Sequence, residues 1–133
     1  MREIMKTIRL PVGDESLNFR ISKLDAFSGG RLLKLLSVAQ GKSEKALPLS
    51  DFLFSLADED FERVMRTCLA HAEVELPAGF IPVCKDDCWG MPEMEYETVT
   101  CLKLTLEVMA WSLEGFFPGS GWNSQREDAG SCR

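Results

Sequence analysis

Two short runs of alternating hydrophobicity constrain this chain more than any other feature. Ile8 and Leu10 precede a turn-forming stretch, Val12-Gly13-Asp14-Glu15, and Leu17, Phe19 and Ile21 follow it, interleaved with Asn18, Arg20 and Ser22. The pattern predicts a β-hairpin over about residues 4–23 with one apolar face. A two-stranded ribbon is marginal alone in water, so that face must be laid on other elements of the same chain.

From Arg31 the period becomes helical. Leu32, Leu35, Leu36 and Ala39 fall at i, i+3, i+4 and i+7, Leu33 and Val38 widen the stripe, and Asp25 or Ser28 is placed to cap a helix over about 28–40. Gly41 suits its end, and 42–45 reads as a polar surface connection. Ser50 is a good N-cap for a short helix over 50–56. Asp58 then opens a longer one over 58–72, with Phe61, Val64, Met65, Cys68, Leu69 and Ala72 on one stripe and acidic residues in the first turn, where the helix dipole favours them. Residues 73–97 read as a long loop with limited strand, because Pro77, Gly79, Gly90 and Pro92 interrupt any regular pattern. A final helix over 98–114 is apolar on more than one side: Val99, Leu102, Leu106, Met109 and Leu113 mark one, and Leu104, Val108 and Trp111 another.

The expected fold class is therefore α+β, mainly α: an N-terminal hairpin followed by about four helices in one small domain, 1–117. Residues 118–133, rich in Gly and Ser, are expected to be a flexible C-terminal tail. At 133 residues and 45% hydrophobic content the chain is long enough to bury a core. No apolar run approaches the length of a membrane span, and MREIMKTIRLPVG lacks the continuous apolar stretch of a secretory signal, so the expectation is a chain that stays where it is made, with no membrane partner. A net charge of −6 argues against nucleic acid as the main partner. The charge is polarised, because residues 1–47 carry nine Lys and Arg against five Asp and Glu, and residues 48–133 carry six against sixteen. Such a chain favours head-to-tail contacts between copies, although two ordinary solvated faces also account for it.

Five cysteines form an odd set, which suits free thiols in a reducing compartment. Cys68, His71, Cys84 and Cys88 read as Cys-x2-His, twelve residues, then Cys-x3-Cys, a set with the count and pairing of a zinc site in a small protein-binding module. Against this, Cys68 falls on the buried helical stripe, where a thiol acts as a small hydrophobe. A redox role for Cys84 and Cys88 is opposed by Asp86 and Asp87, which disfavour a thiolate. The segment 28–32 lacks the Lys and Ser or Thr of a phosphate loop, and no acidic cluster has the spacing of a calcium loop. With one histidine there is no visible catalytic set, so neither enzymatic activity nor a cofactor is expected.

The remaining chemistry is apolar contact. The second side of the last helix, with Leu104, Val108 and Trp111, either completes the core or meets another chain; on the latter reading these three, with Phe116 and Phe117 just after the helix, are the candidate partner-binding residues.

The segment 17–36, LNFRISKLDAFSGGRLLKLL, and the stretch Tyr96-Glu97-Thr98-Val99 leading into 102–108, LKLTLEV, resemble the tail assembly chaperones of long-tailed bacteriophages and prophages, over roughly residues 8–117. The resemblance implies a non-enzymatic assembly factor, made in the host bacterial cytoplasm and absent from the mature virion. Its implied partners are the tape measure protein and tail tube protein, and many relatives also have a longer form made by translational frameshifting. Self-association into a homo-oligomer fits both the charge polarity and such a role.

Overall fold

The computed structural model describes residues 4–41 and 48–114. Strands β1 (Met5–Val12) and β2 (Glu15–Ser22) form the expected hairpin, closed by Gly13 at a φ of 63°. Glycine takes a positive φ at no steric cost, which suits the first central position of this two-residue turn. Helices α1 (Ala26–Gly41), α2 (Leu49–Ser55) and α3 (Asp58–Ala70) follow, then strands β3 (Ala72–Leu76), β4 (Gly79–Pro82), β5 (Cys84–Lys85) and β6 (Cys88–Trp89). A 3-10 turn at Pro92–Tyr96 leads into α4 (Thr98–Leu113). The protein is a small α+β fold richer in helix than in strand.

The stretch expected to be mostly loop holds more structure than its sequence suggested. β3 pairs antiparallel with β2, setting Phe19 opposite Val74 and Ile21 opposite Ala72, and β4 pairs with β3, so the main sheet runs β1-β2-β3-β4. These four side chains are all fully buried on the face that α4 and α3 cover. β5 and β6 form a separate hairpin whose turn residues, Asp86 and Asp87, both have positive φ (54° and 65°). Asp tolerates this region better than most residues, which lets a hairpin turn close here without glycine. The polar face of the sheet is laced by side chains: Arg9 donates to Asn18, Asn18 to Glu75 and Arg20 to Glu73.

Two helix starts differ in their capping. Asp25 accepts the Ser28 N–H at 3.1 Å and begins α1 as expected. Ser50 does not cap α2. The helix starts at Leu49, with Pro48 extended at the N-cap (φ −60°, ψ 149°) and its carbonyl accepting the Phe52 N–H. Proline has no N–H to leave unsatisfied at a helix start, so it serves where a hydroxyl was expected.

The core gathers Phe19, Ile21, Val74, Phe52, Leu53, Leu104, Val108 and Met109, all at 0% exposure. Burying each such side chain contributes roughly 1.5–3 kcal/mol. Thr100 ties α4 to the first hairpin by donating to the Pro11 carbonyl at 2.6 Å, and Thr105, fully buried, turns its hydroxyl back to the Cys101 carbonyl at 2.9 Å.

Candidate partner-binding surface

Among the described residues, exposed large apolar side chains are scattered over several elements, Phe27 and Phe54 included, and two places combine them with charged neighbours. The first lies at the end of the sheet where α4 finishes. The Leu24 N–H donates to Ser112 Oγ at 2.9 Å, fixing the last turn of α4 against the segment that leads into α1. This sets Trp111 beside β1, with its indole Nε1 donating to the Ile4 carbonyl at 3.4 Å. Lys6 and Lys23 stand over its ring at 4.9 and 4.7 Å, and Lys6 also reaches Glu107 at 4.0 Å. Each such cation–ring contact contributes about 0.5–1 kcal/mol at an exposed site. Ile4, next to the indole, is 59% exposed.

The structure divides the sequence-derived partner residues. Leu104 and Val108 are fully buried. In this fold they belong to the core and offer no surface, because the sheet takes one side of α4 while α3 and α2 take others. A helix apolar over a wide arc is satisfied here by several neighbours rather than by a second chain. Trp111 is half-buried and keeps an open edge. Phe116 and Phe117, the connection 42–45 and the tail 118–133 lie outside the described residues.

The second surface lies between α1 and the α2–α3 corner. α1 buries only Leu32 and Leu36, while Leu33, Leu35 and Ala39 are half-buried and Val38 is exposed. The stripe read from sequence is therefore wider than the core beneath it. Its excess forms one wall of an open groove of about 560 Å3, whose lining includes apolar Leu35, Val38, Ala39 and Leu56 and charged Arg31, Lys34, Asp60 and Arg63. Arg63 is neutralised in part by Asp60 at 3.6 Å, whereas Arg31 and Lys34 have no ion-pair partner among the described residues. Apolar lining with an excess of cations suits a segment that carries both apolar and acidic side chains. Tyr96 and Val99, just before and at the start of α4, are exposed as well; the sequence reading placed Val99 on an apolar side of the helix, whereas it faces out beside the exposed Glu93 and Glu95.

The zinc alternative is not assembled. Among the described residues no three His, Cys, Asp or Glu side chains gather where they can hold a metal ion. Cys68 is buried in the core, where loss of solvent pushes its thiol up to about 12. His71 ends α3, with Nδ1 2.9 Å from the Thr67 carbonyl and Nε2 facing Asp25 at 3.5 Å. Cys84 pairs across β5–β6 with Trp89, and Cys88 with Lys85. Directly opposed residues share a face and neighbours along a strand do not, so the thiols of Cys84 and Cys88 point to opposite sides. This register also removes the dithiol reading. Burial raises the Cys84 thiol; Arg66 opposes the shift, and Asp87 adds to it.

The family model for the phage tail assembly chaperone protein, TAC, matches residues 15–123. No curated protein and no solved structure matches the chain. The matched span runs from the start of β2 through the whole of α4; it takes in Trp111, Lys23 and the groove beside α1, and leaves out Ile4 and β1 with Lys6. This chain belongs to the phage tail assembly chaperone protein (TAC) family.

Proposed function

We propose that this protein is a non-enzymatic assembly factor that self-associates in the host bacterial cytoplasm. There it binds the tape measure protein and tail tube subunits during tail morphogenesis, and it is left out of the mature virion. The observation that carries the reading is the end of the sheet where the half-buried indole of Trp111 donates to the carbonyl of exposed Ile4, with α4 ending three residues before Phe116 in sequence. A client that is long, helical and partly apolar is held by many weak contacts along its length, and an open patch on each of several copies supplies them better than a deep pocket. Lys6 and Lys23 around the indole keep the patch soluble when it is free and offer partners to acidic side chains of the client. No described helix is long and apolar enough to cross a membrane.

Co-expression tests the reading. The tape measure protein encoded with this chain is expected to move from the insoluble to the soluble fraction when the two are made together, and to co-purify with it. A client whose solubility does not change, with no chaperone retained on it, would remove the proposal.

A further inference from the structure

We infer that the α1–α3 groove of one copy takes the Tyr96–Val99 corner of another, so that copies join head to tail. The inference rests on the self-association proposed above and names the two surfaces that would carry it. Tyr96 and Val99 are 80% and 63% exposed, and Glu93 and Glu95 stand exposed beside them without an ion-pair partner among the described residues. The corner is rigid at its root. Met94 is fully buried, its carbonyl accepts both the Glu97 N–H at 3.1 Å and the Cys101 thiol at 3.4 Å, and α4 starts immediately after. Two apolar side chains are thus displayed on a backbone that does not need ordering on contact, which lowers the entropy cost of association.

Each surface supplies what the other lacks. The groove has apolar lining and two uncompensated cations, Arg31 and Lys34; the corner has two apolar side chains and two uncompensated carboxylates. No residue belongs to both surfaces. A contact between two different patches of the same chain leaves one of each free at the ends, so it propagates into a ring or an open helical array instead of stopping at a dimer. The local complementarity has the same sense as the charge polarity of the whole chain, basic in its first 47 residues and acidic thereafter. It therefore works for steering as well as for contact.

Sedimentation velocity of the full chain over a range of concentrations tests this, using two charge-reversed variants, Arg31→Glu with Lys34→Glu and Glu93→Lys with Glu95→Lys. Circular dichroism first establishes that both are folded. The wild type is expected to show concentration-dependent oligomers. Each variant alone is expected to need about tenfold or more higher concentration to associate, since like charges then meet across the contact. An equimolar mixture of the two variants is expected to regain association, because the reversed groove meets the reversed corner and the native groove meets the native corner. If the wild type oligomerises and either variant does so equally well, or if the mixture gains nothing over its components, this pair of surfaces is wrong while self-association stands. A wild type that stays monomeric throughout overturns both.

Discussion

The Asp25 carboxylate lies 3.5 Å from His71 Nε2, so the residue that caps the start of α1 faces the residue that ends α3. The carboxyl of Asp25 is held below its ordinary value, first by the Ser28 hydroxyl, then by the Ser28 N–H, with a smaller contribution from His71. A carboxyl depressed in the folded state adds stability at pH above its unfolded value and loses it as pH falls through the folded one. Asp25→Ala is therefore expected to lower Tm at neutral pH. The gap to wild type should hold down to about pH 4 and narrow below it. A gap of constant size down to about pH 2 in thermal melts would contradict this role for the carboxylate.

Leu104→Ala is expected to destabilise the fold by about 2–5 kcal/mol in urea denaturation, the range for removing a large side chain from a packed core. Val99→Ala, on the exposed side of the same helix, is expected to change stability by less than about 0.5 kcal/mol. Similar costs at both positions would mean that α4 is packed differently.

Gly90 holds a close approach of backbones. A methyl group placed there meets the Pro82 carbonyl oxygen and the side chain of Ile81, and the Gly90 N–H is already committed to the Val83 carbonyl at 3.1 Å. Gly90→Ala is expected to cost about 1–3 kcal/mol, as overpacking does. An unchanged denaturation midpoint would show that the β4–β6 approach can relax.

The thiols should divide by environment. Burial pushes Cys68 up to about 12 and, as its largest cause, Cys101 up to about 11, whereas Cys88 is exposed on β6. Alkylation of the native protein at mildly alkaline pH, followed by peptide mass spectrometry, is expected to label Cys88 while Cys68 and Cys101 react only after unfolding. Rapid native labelling of Cys68 would place α3 differently against the core.

The parts of this fold that sequence made legible are those whose signal is local. Ile8 to Ile21 alternates around one glycine turn, and Phe61 to Leu69 repeats at helical spacing, so both elements were placed to within a few residues. Beyond the hairpin, limited strand was expected within 73–97, but its pairing was not legible. Val74 finds Phe19 across more than fifty residues, and nothing in either short run states that pairing. The β5–β6 hairpin was hidden by a turn of two aspartates where glycine or asparagine is the usual marker. Leu104 and Val108 were assigned to a surface because a broad apolar arc looks the same whether several neighbours or a partner chain covers it; only the assembled fold distinguishes them. The groove shows the converse. Val38 looked like part of a core stripe and is exposed, because α1 is anchored chiefly through Leu32 and Leu36.

The most direct test of the account is a titration of a helical segment of the tape measure protein into the full chain, followed by tryptophan fluorescence and calorimetry. Saturable binding is predicted, weakened about tenfold or more by Ile4→Asp and by Trp111→Ala in variants that remain folded. No detectable binding, or binding that neither substitution alters, would contradict the claim that this apolar patch is what the protein offers its client.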